Sequence, residues 1–190
     1  AVDFLNDLDT PAFKIASFEN IHIPLIKKIG SKGKPVFIST GMASISEIEE
    51  AVNALKESGC KDLILLKCTS TYPASPIDSN ILTIPHMRKI FKCEVGLSDH
   101  TMGFGAALSS VAHGATVIEK HFTLDRSEGG VDSAFSIEPH ELKQLIIESK
   151  NAWNSLGQVY YGPTNKEESS LIFRRSLYVS KDMKKGDVFS

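Results

Sequence analysis

The chain has 190 residues, 42% of them hydrophobic and 23% charged, with a formal net charge of −2, the profile of a globular protein of one or two domains. No basic bias points to a nucleic-acid partner, and no apolar run approaches the ~20 residues that would cross a bilayer. Without a charged-then-apolar leader before the first helix pattern, the expected setting is cytoplasmic, with no membrane partner.

The first residues, Ala1-Val-Asp-Phe-Leu-Asn-Asp-Leu8, read as an amphipathic helix already in progress, and the last, Lys184-Lys-Gly-Asp-Val-Phe-Ser190, as a turn leading into a strand. The expectation is a segment of something longer. Between them, strand-like runs alternate with helical patterns. The strands are expected at Phe13 to Ser17, Val36 to Ser39, Leu63 to Lys67, Glu94 to Leu97 and Thr116 to Phe122, their starts 22 to 31 residues apart. Each interval holds a strand, a helix and two loops, which is the spacing of βα units with parallel strands.

Two helices carry clear punctuation. Ser44-Ile-Ser-Glu47 is a capping box ahead of an apolar stripe of Ile45, Ile48, Ala51, Val52 and Leu55, and Gly59 supplies the stop. Pro139 opens a second helix with Leu142, Leu145, Ile146 and Trp153 on one face and Gly157 at its end. Cys60, Cys68 and Cys93 are odd in number and show no CxxC spacing, so they are expected to be buried or incidental thiols.

Five βα units fit a doubly wound sheet or part of an eightfold barrel. No GxGxxG follows a strand, so the dinucleotide fingerprint of the doubly wound fold is missing. Instead every strand ends in polar residues: Ser17; Ser39-Thr-Gly41; Thr69-Ser70; Ser98-Asp-His100; His121-Phe-Thr123. A barrel places its chemistry at that edge, so the barrel is preferred.

Strand parity sorts these residues. Glu119 and His121 face one side, Ile118, Lys120 and Phe122 the other, and Ser98 and His100 turn inward while Asp99 turns away. Lys14, between Phe13 and Ile15, also points inward, where an ammonium is costly unless it meets an anion; the competing reading is a snorkelling surface lysine. Small hydroxyls beside glycine, in Ser39-Thr-Gly41 and Gly96-Leu-Ser98, suit phosphate oxygens. His22, His86, His113 and His140 have no polar companions at fixed spacing and read as surface or helix-end residues. His100 and His121 end neighbouring strands, and two imidazoles with open positions suit a divalent ion such as Mn²⁺, Co²⁺ or Fe²⁺. Two hydrogen-bonding histidines lining a pocket is the alternative.

Phe13-Lys-Ile-Ala-Ser17, Ile38-Ser-Thr-Gly-Met42, Lys67-Cys-Thr-Ser-Thr-Tyr-Pro73, Gly96-Leu-Ser-Asp-His100 and Glu119-Lys-His-Phe-Thr123 resemble the successive motifs of the sialic acid synthase family. The stretches Leu124 to Pro139 and Arg175 to Gly186 are most similar to the branch that makes pseudaminic acid, with the N-acetylneuraminate and legionaminic acid branches as close alternatives. The resemblance implies condensation of phosphoenolpyruvate with an open-chain 2-acetamido sugar, with C–O cleavage and phosphate release. It implies a catalytic divalent metal, Mn²⁺ foremost with Co²⁺ or Mg²⁺ as alternatives, held by His100 and His121. Lys14, Ser17, Ser39, Ser70 and Ser98 match residues that hold phosphoenolpyruvate, and Asp132 matches the acid that contacts the sugar. Glu119 is a catalytic candidate, either orienting His121 or accepting a sugar hydroxyl.

The family fold implies the C-terminal five units of a TIM barrel over residues 1–160, a linker over 161–172, and the start of an antifreeze-like (SAF) β-rich domain from 173 to 190. It also implies a domain-swapped homodimer, and a segment that is inactive by itself because the early strands are missing. Two other classes stay open: a phosphate-handling barrel aldolase using Lys14 or Lys67 in a Schiff base, and a non-catalytic anion-binding module.

Overall fold

In the computed structural model, which describes residues 1–188, the five apolar runs pair side by side in chain order. The strands are β1 (Phe13–Ile15), β2 (Val36–Ser39), β3 (Leu63–Cys68), β4 (Glu94–Asp99) and β5 (Ile118–Lys120). They form one sheet, ordered β1-β2-β3-β4-β5, with every pairing parallel. The helices are α1 (Val2–Asp7), α2 (Ile23–Gly30), α3 (Ile45–Glu57), α4 (Thr83–Phe91), α5 (Gly105–Ala112) and α6 (Pro139–Ser155). This is the parallel half-barrel layout, with β1 and β5 as open edges among the described residues.

Alternation divides the sheet into two faces. Phe13, Ile15, Val36, Ile38, Leu63, Leu65, Val95 and Leu97 are buried on the helix-facing side, against Ile26 and Ile29 of α2, Ile48, Val52 and Leu55 of α3, and Ile84, Met87 and Phe91 of α4. Each such side chain contributes roughly 1.5–3 kcal/mol by leaving water. Only small or polar residues alternate on the opposite face near the strand ends: Ser39, Cys68, Ser98 and Glu119. Gly96 lies on that face too, and a Cβ there would come within 2.4 Å of the Val117 carbonyl.

The helices start where the sequence provides caps. Ser44 Oγ accepts from the Glu47 amide at 3.3 Å while the Glu47 carboxylate accepts from the Ser44 amide at 2.7 Å, and these bonds from Ser44 hold the Glu47 carboxyl below the usual range. His22 caps α2, its Nδ1 accepting from the Leu25 amide at 3.0 Å. The apolar stripe of α6 is only partly covered. Leu145 is buried, whereas Ile146 and Trp153 are exposed, because α6 packs on α5 beside the unpaired edge at β5.

The chain divides into two units, Ala1–Leu156 and Gly157–Ser190, a break slightly before the boundary expected at 160. Within the second unit, Glu168–Phe173 form a 3-10 helix and the Asp187 amide donates to the Lys184 carbonyl at 3.0 Å, closing the expected turn. No strand forms among its described residues, so the β-rich antifreeze-like start is not seen here; a lone strand without a pairing partner has little to hold it. The strand expected after the turn falls largely on residues 189 and 190, outside the described residues. No helix among the described residues is long and apolar enough to cross a membrane.

Candidate active site

Backbone contacts gather the strand ends at one mouth. Asn20, buried in the loop after β1, donates to the Ser39 and Thr40 carbonyls at 3.2 and 2.7 Å, and Thr40 Oγ1 donates to the Leu66 carbonyl at 3.2 Å. The loops after β1 and β2 are thereby fixed to each other and to β3. At their junction Ser70 Oγ donates to Ser17 Oγ at 2.8 Å. Gly41 makes this approach feasible, since its φ is +49° and a Cβ would lie 2.4 Å from Ser17 Cβ and 2.7 Å from Ser70 Oγ. Gly41→Ala is expected to cost about 1–3 kcal/mol through combined strain and clash, read as a lower denaturant midpoint. An unchanged midpoint would show that Ser17 and Ser70 can separate freely.

Ser39 Oγ is buried on the inner face with no hydrogen-bond partner. A buried hydroxyl without a partner is uncommon and marks a place where a ligand oxygen would be satisfied. Ser98 Oγ donates to Glu119 Oε1 at 2.6 Å, and Lys14 Nζ stands 3.5 Å from the same oxygen. Lys14 points inward, as parity requires, and also donates to the Ile15 carbonyl at 3.2 Å. Of the five residues expected to hold phosphoenolpyruvate, four thus fall into two groups: Ser17 with Ser70, and Lys14 with Ser98 around Glu119. Ser39 is the unpaired member.

The two histidine rings lie 5.1 Å apart, centre to centre, with a near-perpendicular tilt. His100 Nδ1 is 2.9 Å from the Thr69 carbonyl, and a carbonyl can only accept, so Nδ1 carries the proton and the neutral ring offers Nε2. His121 Nδ1 lies 3.3 Å from Asp132 Oδ2, which draws its proton to the same nitrogen. An imidazole whose Nδ1–H is tied to a carbonyl or carboxylate is oriented to give Nε2 to a cation. Burial first, then the neighbouring His100, push the His121 pKa below the ordinary histidine value, favouring the neutral, ligating form. For His100 burial acts downward, but the Cys68 side chain and the Thr69 carbonyl outweigh it and the pKa lies above the ordinary value.

Among the described residues no third His, Cys, Asp or Glu joins the pair as a metal cluster. The donor set therefore fits a divalent cation whose remaining positions are open to water and substrate oxygens, not a closed structural zinc site. The orienting contact on His121 comes from Asp132, while Glu119 Oε1 is engaged by Ser98 and Lys14 and its Oε2 has no protein partner among the described residues.

Three residues to which the sequence assigned no role at the site belong here. Cys68 pairs in register with Ser98 and lies 3.9 Å from Ser70 Oγ. Burial pushes its thiol up, yet the His100 imidazole with the Ser70 and Ser98 hydroxyls outweighs burial and holds it below the usual thiol range. Its alternation with Leu66 was the available signal. Tyr72 covers the histidines from the loop after β3, its ring 4.5 Å from His100 and 5.9 Å from His121, and Phe135 lies 5.0 Å from His121. Lys67, whose pKa is lowered by burial, shares the helix-facing parity of Leu65 and donates to Cys68 O and Thr69 Oγ1. It is turned from the mouth where a carbonyl substrate would sit.

The loop carrying Asp132 is anchored by Arg126. Its side chain donates to the Ser136 carbonyl at 2.8 Å, to Glu138 at 3.3 Å and to Glu141, and Ser136 Oγ donates to the Asp132 carbonyl at 2.7 Å. Asp132 is thus tied to the start of α6.

A parallel β/α sheet with hydroxyls, a lysine and two oriented histidines at its carboxyl edge has the layout of the active-site edge of a (β/α) barrel enzyme. Residues 1–161 match the NeuB family, and the chain belongs to that family, the sialic acid synthases. It is 43% identical to the pseudaminic acid synthase of Campylobacter jejuni over 100% of this chain and 55% of that protein, and 42% identical to the N,N'-diacetyllegionaminic acid synthase of the same species over 100% of this chain and 58% of that protein. Among solved structures, the N-acetylneuraminic acid (sialic acid) synthetase from Leptospira borgpetersenii serovar Hardjo-bovis, in complex with citrate, superposes with a TM-score of 0.82 at 36% identity, covering 93% of this chain and 61% of that one. The chain spans a little over half the length of these curated relatives.

Proposed function

We propose that the protein of which these residues form the site-bearing half is a nonulosonic acid synthase, condensing phosphoenolpyruvate with the open-chain form of a 2-acetamido sugar. The proposed sugar is 2,4-diacetamido-2,4,6-trideoxy-altrose, giving pseudaminic acid, with the substrates of N-acetylneuraminate and legionaminic acid synthases as the arms to test against it. The observation that carries the reading is the pair of oriented imidazoles, His100 and His121, beside a collar of hydroxyls that includes the unpartnered Ser39. Non-catalytic anion binding would need the collar but not the imidazole pair.

The residues divide the work as follows. Lys14, Ser17, Ser39, Ser70 and Ser98 hold the phosphate and carboxylate of phosphoenolpyruvate by charge-assisted and hydroxyl hydrogen bonds. His100 and His121 hold a divalent cation, Mn²⁺ foremost. When bound, that cation supplies Lewis acidity toward the sugar's aldehyde oxygen and lowers the pKa of nearby water. With both substrates fixed, the enol carbon of phosphoenolpyruvate forms the new C–C bond to the aldehyde carbon, the aldehyde oxygen takes up a proton, and C2 becomes electrophilic. Water adds at C2 and gives up one proton, which offsets the one taken by the aldehyde oxygen; the C2–O bond to phosphate then breaks with its electrons leaving on phosphate as the new C2 hydroxyl gives up its proton and becomes the carbonyl. Asp132, half exposed beside His121, orients that ring and faces the sugar. Glu119 presents Oε2 to a sugar hydroxyl. Holding two substrates in line contributes several kcal/mol through positioning alone.

Five strands leave the sheet open, and an eightfold barrel closes the site; a homodimer completes the proposed enzyme. The 190-residue chain alone is therefore expected to release no phosphate from phosphoenolpyruvate and sugar, while the full-length protein with Mn²⁺ releases phosphate only with an acetamido sugar present. Running the full-length assay across the altrose, neuraminate-type and legionaminate-type precursors identifies the substrate by kcat/KM. No sugar-dependent phosphate release from any of them would overturn the proposal.

A further inference from the structure

Behind the two histidines, on the helix-facing side of the sheet, lies a charged pair that the chemistry above does not use. Asp99 and Lys120 are register partners at the ends of β4 and β5. Their side chains are 1% and 4% exposed, and Lys120 Nζ donates to Asp99 Oδ2 at 2.8 Å. Each directly precedes one of the histidines.

Their remaining hydrogen bonds converge on one residue. Asp99 Oδ1 accepts from the Thr101 amide at 2.9 Å, and Lys120 Nζ donates to the Thr101 carbonyl at 2.8 Å. Both backbone groups of Thr101 are thus gripped by the pair. The His100 carbonyl accepts from the Ala74 amide at 2.9 Å, and the His121 carbonyl accepts from the Ile137 amide at 2.9 Å. His100 is therefore held from behind by the ion pair and from the side by the loop after β3. His121 is bound to the same pair through the adjacent peptide.

Stability does not account for this arrangement. Both side chains are almost wholly out of water, and an ion pair placed so loses hydration that its attraction only partly returns; an apolar pair of similar shape is often equally or more stable. What an apolar pair cannot do is bind the Thr101 peptide at both ends. We propose that Asp99 and Lys120 form a positioning pair, which sets the separation and orientation of His100 and His121 by clamping the end of β4 to the end of β5. The inference rests on the metal-binding reading of the histidines, but it concerns only how this chain holds them.

The test uses the full-length protein as wild type, Asp99→Asn, Lys120→Met and the double variant Asp99→Leu/Lys120→Met. Thermal midpoint, Mn²⁺ affinity by titration of the metal-free protein, and the imidazole NMR signals of His100 and His121 without metal are measured. Each single variant leaves one buried charge unmatched and is expected to lower the midpoint. The double variant is expected to be more stable than either single variant, though below wild type because the buried Thr101 amide and carbonyl lose their partners, while binding Mn²⁺ about 10- to 100-fold more weakly, the usual loss when groups that orient metal ligands are removed, with both imidazole signals shifted or broadened.

A double variant that regains stability together with wild-type Mn²⁺ affinity and unchanged imidazole signals would overturn the proposal. So would a double variant no more stable than the singles, because the pair would then be needed for the fold itself. If the wild type binds no Mn²⁺, the metal reading fails separately. The imidazole signals then decide the positioning role: altered signals in the stable double variant support it and unaltered signals refute it.

Discussion

His100→Ala and His121→Ala are each expected to abolish tight Mn²⁺ binding by the full-length protein and to lower sugar-dependent phosphate release by roughly 10³-fold or more, since a lost Lewis acid removes several kcal/mol of transition-state stabilisation. The geometry gives the two substitutions equal weight. No third protein group joins the imidazoles among the described residues, so within them a cation left with one histidine has no substitute donor. The two variants should nevertheless differ in secondary effects. His100 is buried and bonded to the Thr69 carbonyl, and its removal leaves that acceptor unpaired at a cost of about 1–3 kcal/mol in stability. His121 is more open and pairs with an exposed carboxylate, so its removal should leave the thermal midpoint nearly unchanged. Isothermal titration with Mn²⁺ and a coupled phosphate assay check the first expectation, and thermal melts check the second. Wild-type metal affinity in both variants would end the metal assignment.

Lys14→Met is expected to raise the KM for phosphoenolpyruvate by roughly 10- to 100-fold with little change in the KM for the sugar, the loss corresponding to a hydrogen bond between charged groups worth about 1.5–3 kcal/mol. Methionine preserves most of the side chain's length and apolar stem, so the inner face of β1 should stay packed. Lys14 lies near Glu119, with Nζ 3.5 Å from Oε1, and that carboxylate also accepts from Ser98. Loss of the ammonium therefore acts on two groups. It removes a cation from the phosphoenolpyruvate pocket and leaves Glu119 with a hydroxyl as its only named donor. A KM effect confined to phosphoenolpyruvate supports the anion role. An effect on the sugar alone would place Lys14 with Glu119 on the sugar side.

Much of this layout could be read from residue order because two periodicities are local. Five apolar runs at βα spacing gave parallel strands, and alternation correctly placed Lys14, Ser98 and Glu119 on the inner face and Asp99 and Lys120 on the other. Strand ends were less legible. The first strand stops at Ile15 instead of Ser17 because the Ala16 amide turns to the Glu19 carboxylate at 3.1 Å. The fifth is shorter than Thr116 to Phe122 because it pairs only with β4.

What stayed hidden depends on register and on long loops. Alternation sends Asp99 and Lys120 to the same side, but only the β4–β5 register brings them face to face. Tyr72 and Phe135 reach the histidines from loops whose paths no periodicity encodes, and Asp132 reaches His121 only because Arg126 and Ser136 fold its loop back on α6. Cys68 was read as a buried or incidental thiol, and it is buried, but spacing rules look only for partner cysteines; its neighbours here are a histidine and two serines from other strands and loops.

The most direct measurement follows the bridging oxygen of phosphoenolpyruvate. Full-length protein, Mn²⁺ and the accepted acetamido sugar are incubated with phosphoenolpyruvate carrying ¹⁸O between C2 and phosphorus, and both products are analysed by mass spectrometry. The predicted result is ¹⁸O in the released phosphate and none in the sugar acid, as C–O cleavage requires. Label retained at C2 of the sugar acid, or phosphate released without any sugar acid formed, would contradict it.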